Sequence, residues 1–352
     1  MRRHPVAAVL ATSAAVVCVV TPWLVEPPLE VRLLAGLLTG LTWWAAARLA
    51  GAAAAGVREV LRGRARPAGL AAGMAAVLVL AGCGGAPASP PAAAPAWRPV
   101  VGAAPELPGG TPVRVRIGLG DAPTDEARAR RAVEELVRGG GLTRSTLLIA
   151  VPTGSGWLDD DAVAALEELT GGDLATVTVQ YAQHPSWVEY LRGTDRAARS
   201  ATTLLGAVRA QLATLPAAER PRLLIFGESL GATAAAAAVT AVGDVDGCLL
   251  AGRPGSAGAA PVPGCTDVGN DDDPVTRWRP GLVVAPRGGL PWLPAVTFWQ
   301  VTGALVGALD QPEGSGHRYG ATLADDWARL GAEPPGGGPA PGPVGPLRAH
   351  SR

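Results

Sequence analysis

Apolar positions dominate the start of the chain in two long stretches, residues 5–25 and 33–57, the second interrupted only by Arg48 near its far end. Each is long enough for a helix across a bilayer core, which takes about 20 residues. A third apolar stretch, 68–82, is shorter. From residue 113 the pattern changes to short apolar runs alternating with amphipathic ones. It predicts strands at 113–119, 146–151, 174–181, 222–226 and 247–251, and helices at 124–138, 160–169, 196–215 and 231–242. Strands that alternate with helices over this length predict an α/β fold, a mostly parallel sheet covered by helices on both faces. Residues 252–270 are dominated by Gly, Pro and Ala and give no clear element. Beyond them, 293–309 and 322–330 read as helices.

Between the two regions, 85–112 is rich in Pro, Ala and Gly and reads as a linker, and the Gly/Pro-rich stretch 331–352 reads as a disordered tail. The expected organisation is therefore a membrane segment over 1–84, a linker over 85–112, a catalytic-sized domain over 113–330 and the tail. Arg2 and Arg3 precede the first apolar stretch, and Arg58, Arg62, Arg64 and Arg66 separate the second from the third. The first connection carries Glu26, Glu30 and Arg32. The positive-inside rule then puts the N-terminus in the cytoplasm and, if all three stretches cross, everything after about residue 84 outside. The third stretch has a second reading, because Leu80-Ala81-Gly82-Cys83 resembles a lipoprotein signal with a lipidated cysteine. Either reading exports the same domain.

Composition adds little beyond limits. Formal net charge is +0, so no basic field points to nucleic acid. All basic residues other than histidine are arginine, a bias expected of a GC-rich genome. Cys18 and Cys83 lie in apolar stretches. The spacing of Cys248 and Cys265 suits a disulfide in an oxidising compartment, though sequence leaves their pairing open. No CxxC pair or His-rich cluster suggests a metal site.

The chemistry concentrates in Gly227-Glu228-Ser229-Leu230-Gly231, a G-x-S-x-G motif between an expected strand and an expected helix. A nucleophile on so sharp a turn needs small neighbours, and the turn lifts its hydroxyl clear of the sheet while aiming the next amides, beginning with Leu230, at a developing oxyanion. The bland alternative makes Ser229 a helix cap. A serine needs a base, and histidine is the usual one. His4 and His350 lie near the termini, and His184 precedes the nucleophile, so the Ser-acid-His order of this fold favours His317 in the glycine-rich loop Gly314 to Gly320. The acid then falls between them. Asp273, last of three aspartates and followed by Pro274, is preferred, with Asp267 and Asp310 as alternatives. Thr153 and Gly154, directly after the strand ending at Val151, are the expected second source of oxyanion donors. Ser155 is a weak rival nucleophile, and Gly118-Leu119-Gly120 matches only part of a dinucleotide-binding turn, which Pro123 interrupts.

These residues resemble the actinobacterial α/β-hydrolase membrane-protein family, in which N-terminal helices precede a hydrolase-like domain. The resemblance rests on Pro152 to Trp157, Gln180-Tyr181 with Pro185-Ser186-Trp187, Phe226 to Gly231, Val296 to Thr302, and Gly316-His317 with Tyr319-Gly320. It implies an α/β-hydrolase-like fold, and its His-small-small-Asp-Pro motif aligns with Asn270 to Pro274, selecting Asp273 as the acid. Two departures stand out: Asn270 replaces the motif's histidine, and the stretch between Ala251 and Asn270 is short. The expectation is a membrane-anchored serine hydrolase acting through an acyl-enzyme on a small-molecule or lipid ester, with Ser229, Asp273 and His317 catalytic and no cofactor. A catalytically silent fold used for binding, or an acyltransferase, is the alternative. The location expected is the cell membrane, multi-pass, with the catalytic domain outside; oligomeric state stays open.

Overall fold

The computed structural model describes residues 5–61, 110–286, 289 and 291–331. The third apolar stretch, Cys83, nearly all of the linker, the C-terminal tail, His4 and His350 lie outside them. The described chain divides into two compact units.

The larger unit holds six parallel strands: β1 (Val113–Ile117), β2 (Thr146–Val151), β3 (Leu174–Val179), β4 (Arg222–Glu228), β5 (Gly247–Ala251) and β6 (Thr266–Val268), in the order β1-β3-β2-β4-β5-β6. The strand period of two sorts the side chains cleanly. Leu147, Ile149 and Val151 of β2, Leu223 and Ile225 of β4, and Cys248 and Leu250 of β5 enter one core. Leu148, Ala150, Leu224, Phe226, Leu249 and Ala251 enter the other. Three helices, α3 (Asp125–Arg138), α6 (Asp195–Leu212) and α7 (Leu230–Val242), cover the first face, and α4 (Asp160–Leu169) with α10 (Ala324–Arg329) covers the second. A sheet buried on both faces explains why its central strands read as continuous apolar runs. Edge strand β1 instead alternates, with Arg114 and Arg116 exposed. Thr124 and Asp159 cap α3 and α4 by accepting hydrogen bonds from first-turn amides, Ala127 N at 3.2 Å and Asp161 N at 3.0 Å, which fixes where both helices start.

The expected fold class is met, and two local differences have identifiable causes. Helix α5 (Ser186–Arg192) was not expected; at seven residues it is too short to show a period. Strand β6 lies in the stretch that gave no element, where a three-residue edge strand leaves no alternation to detect. Cys248 and Cys265 form a disulfide that ties β5 to the segment leading into β6.

The smaller unit joins α1 (Pro5–Val20) and α2 (Leu29–Leu61) to residues 277–310, which contain α9 (Val296–Ala304). Residues 277–310 thus lie in sequence between two stretches of the larger unit. Helix α8 (Pro274–Arg277) leads into them. Helices α1 and α2 meet closely. A Cβ on Gly36 would lie 3.0 Å from the Ala15 carbonyl oxygen, and one on Gly40 2.7 Å from that of Ala11. Such small-residue approach, here in a Gly-x-x-x-Gly spacing, is how helices pack where lipid removes the hydrophobic drive. The membrane expectation is met in part. Among the described residues one helix is long and apolar enough to cross a bilayer, over Leu29–Ala55. Helix α1 has 16 residues, about 24 Å at 1.5 Å per residue, and falls short of a 30 Å core. The helix of the first apolar run ends at Val20, so of the expected spans the second is met, the first is too short to cross, and the third, 68–82, lies outside the described residues.

Candidate active site

Every group of interest lies at the carboxyl end of the sheet, where β4 and β5 run side by side with Glu228 opposite Ala251. Strand β4 passes into α7 without a loop, and the residue at the junction, Ser229, has φ +55° and ψ −123°. A non-glycine residue there stores strain, of order 1–3 kcal/mol. The flanking residues show why the motif demands glycine. A Cβ on Gly227 would sit 2.3 Å from the Gly231 carbonyl oxygen, and one on Gly231 2.3 Å from that of Val151. Strand, turn and helix are therefore pressed backbone to backbone. Ser229 donates its amide to the Ala251 carbonyl at 2.9 Å, pinning the turn to β5. Its side chain makes no cap bond to α7, which removes the capping alternative.

His317 reaches the same place from a different part of the chain. Its ring packs on Gly252, the residue after Ala251: a Cβ there would be 2.5 Å from His317 Cε1. The imidazole and the serine turn thus flank one dipeptide, Ala251-Gly252. His317 Nδ1 pairs with Asp273 Oδ2 at 2.8 Å, with Asp273 fully buried. Nδ1–H donates to the carboxylate, so the Nε2 lone pair is free to take a proton; Nε2 has no hydrogen-bond partner among the described residues. Of the three candidate acids, Asp267 is engaged elsewhere, in a two-bond pair with Arg253. Asp310 belongs to the smaller unit. His184 pairs with Glu189 at 2.9 Å.

The sequence reading missed the residues that hold this pair. Tyr319 donates its hydroxyl to Asp273 Oδ2 at 2.6 Å, and the amide of Val275 donates to Oδ1 at 2.7 Å. Asn270, the departure from the family motif, donates through Nδ2 to the carbonyls of Gly316 and Arg318, at 3.0 and 3.1 Å. Those carbonyls bracket His317. Asp272 accepts from Ser315 Oγ at 2.6 Å and from the Gly316 amide at 2.8 Å. An aspartate run that looks like a solvated turn is a clamp on the histidine loop, and only its sequence neighbourhood to Asp273 hinted at that. Asp159 completes the frame, since its second oxygen accepts the Gly320 amide at 3.0 Å.

The two expected oxyanion loops differ. Leu230, buried at the first turn of α7, carries an amide at the start of a helix, where N–H groups have no intrahelical acceptor. Thr153 needs correction: its amide donates to the Trp157 carbonyl at 2.9 Å. Closing this tight turn consumes the donor expected to face the site. Gly154 follows it, so close to the His184 carbonyl that a Cβ would lie 2.6 Å away.

Electrostatics distinguish the titrating groups. Burial pushes the Glu228 carboxyl up to about 8; His317 opposes this, and Asp159 and Asp273 add to it. Burial thus favours the protonated form of Glu228. Burial alone would lower His317, but the charge and hydrogen bond of Asp273, with Glu228, outweigh it and leave the imidazole above its usual value. Tyr319 is raised well beyond the ordinary phenol, by burial and then by Asp273, so it stays a donor. Among the described residues no group of three or more His, Cys, Asp or Glu is arranged to hold a metal.

No curated protein matches the chain. Among solved structures it is similar to a Trichoderma reesei cutinase in complex with a C11Y4 phosphonate inhibitor, with 14% identity over 53% of this chain and 89% of the cutinase, at a TM-score of 0.29. A family model for the alpha/beta-hydrolases matches residues 113–262 and 268–339, and the chain belongs to the alpha/beta-hydrolase family.

Proposed function

We propose that the protein is a serine hydrolase that cleaves an ester through an acyl-enzyme, with Ser229 as nucleophile, His317 as general base and Asp273 as the orienting acid. The observation that carries this reading is the buried Asp273–His317 pair, 2.8 Å apart, resting on the dipeptide that also pins the strained Ser229 turn. In the first step Ser229 Oγ attacks the ester carbonyl carbon and its proton passes to His317 Nε2. The amides of Leu230 and Gly154 stabilise the oxyanion. As the tetrahedral species collapses, the alkoxide leaves with the proton from Nε2, and the acyl group remains on Oγ. Water then gives its proton to Nε2 and attacks the acyl carbon; as the second tetrahedral species collapses, Ser229 Oγ leaves with the proton from Nε2, and the acid is released. Asp273 stays ionised throughout and stabilises the imidazolium.

The same reading attaches the protein to the cell membrane through its N-terminal helices, with the hydrolase domain on the outer face. Two observations support it: only 22% of the apolar window of α2 is buried, unlike a core helix, and the Cys248–Cys265 disulfide suits an oxidising compartment. A long-chain or cell-envelope ester is the substrate class that fits this location. The test is labelling with a fluorophosphonate probe, which captures an activated serine. The wild-type chain should label and Ser229→Ala should not; an unlabelled, folded wild type would mean the fold is catalytically silent.

A further inference from the structure

Between Arg287 and Asp310 the chain carries no charged residue and no histidine. That run is about as long as a membrane-spanning segment, yet it sits inside the soluble-looking half of the sequence, between Asp273 and His317. Pro291 and Pro294 prevent one continuous helix, and α9 is only nine residues. Its inner face is tied to the N-terminal helices by specific polar bonds. Trp43 donates its indole N–H to the Pro294 carbonyl at 2.9 Å, Trp299 donates to Thr42 Oγ1 at 2.9 Å, and Gln300 donates to Thr21 Oγ1. Val296 shares a buried cluster with Cys18 and Ala35, and Gly303 lies so close to the Trp23 ring that a Cβ would come within 2.8 Å. The outer side is a different surface. Leu293, Val306 and Leu309 are exposed, at 46%, 59% and 61%, and so are Leu33, Leu34, Leu37 and Leu41 on α2.

We propose that residues 291–309 are a re-entrant part of the membrane anchor, packed on α1 and α2 and presenting Leu293, Val306 and Leu309 to lipid acyl chains. Three considerations lead to the bilayer as occupant. A run without a single charge is rare on a water-facing insertion, where charged side chains normally break apolar patches. The segment belongs to the same compact unit as the one helix able to cross a membrane. Its indole and amide groups find partners within that unit, as polar groups at membrane depth must. Non-helical backbone around the prolines is tolerated there when protein covers it. The inference rests on the anchoring reading above and extends it to a segment that hydropathy alone would leave in water.

Lipid-phase quenching tests it on the full chain in phosphatidylcholine nanodiscs. Cys18→Ala and Cys83→Ala remove the cysteines outside the Cys248–Cys265 pair, and single cysteines at Val306, Leu309, Leu37 or Glu219 carry a bimane label. Doxyl groups on the lipid acyl chains should quench the label severalfold at 306, 309 and 37, and leave it unchanged at Glu219, an exposed residue of the larger unit. Quenching at 37 without quenching at 306 and 309 overturns this inference while leaving the anchor intact. No quenching at 37 overturns the anchoring reading itself. Should a labelled variant fold poorly, reactivity of the unlabelled cysteine toward a membrane-impermeant maleimide reads the same question: 306 and 309 should react at least tenfold more slowly than 219, and equal rates overturn the proposal.

Discussion

Asp273 is the residue on which most of the site converges, and its three acceptor bonds decide what its replacement does. Asp273→Asn keeps the shape, but its amide nitrogen cannot accept, so either the Val275 amide at Oδ1 or the His317 and Tyr319 donors at Oδ2 lose their acceptor, and the charge that steadies an imidazolium is gone. We expect kcat to fall by about 10⁴-fold, measured by steady-state hydrolysis of an activated ester, with the fold retained. The raised His317 adds a pH signature: the base works only when neutral, so the acid limb of kcat/KM should lie above pH 6.5, the ordinary histidine value. Glu228 also bears on stability. Its folded pKa is raised to about 8 from 4.5, so the native state holds a proton that the unfolded chain releases. Its contribution is fully present below pH 4.5 and is lost as pH climbs toward 8, by up to roughly 4 kcal/mol. Glu228→Gln, always neutral, should flatten the fall in unfolding free energy between pH 5 and 8 seen by urea denaturation; an unchanged slope would show that Glu228 ionises freely.

At the scale of elements, the turn between β4 and α7 is the most constrained junction in the molecule. Gly231→Ala brings a methyl group to 2.3 Å from the Val151 carbonyl oxygen, and neither partner can retreat, since β2 is hydrogen-bonded on both sides. Relief requires α7 to move off the sheet. We expect loss of fluorophosphonate labelling together with destabilisation of several kcal/mol, beyond the 1–3 kcal/mol usual for overpacking, checked by thermal unfolding. The motif's glycines were thus legible in the sequence for a reason the backbone confirms. So were five of six strands, because buried parallel strands are apolar runs bounded by loops. What escaped was set by tertiary partners: β6 exists by pairing with β5, and Asn270 and Asp272 matter only because the 314–320 loop folds back over them. Thr153 failed as a donor for the same reason, its amide being claimed by a turn that no spacing rule reveals.

For the whole molecule, the question is what keeps the acid and the histidine together when the chain between them leaves for another unit. Asp273 and His317 flank an excursion of the chain through residues 277–310, and loop-closure entropy works against their meeting. The clamps by Asn270 and Asp272 oppose this locally. The Cys248–Cys265 disulfide acts one strand further in, joining β5, which runs directly into Gly252 beneath the histidine ring, to the approach of β6, from whose end the acid segment departs. Closing a loop with sequence separation 17 restricts the unfolded chain by roughly 3 kcal/mol. For a unit of this size that corresponds to a fall in Tm of about 6–12 °C on removal. Cys248→Ala with Cys265→Ala should show it by calorimetry, and reductant should reproduce it in the wild type only on heating, because Cys248 is fully buried. If the β5–β6 edge also frames the site, the double variant will lose ester hydrolysis at a temperature below its own unfolding midpoint. Loss of activity and of structure at a single temperature would instead confine the disulfide to global stability.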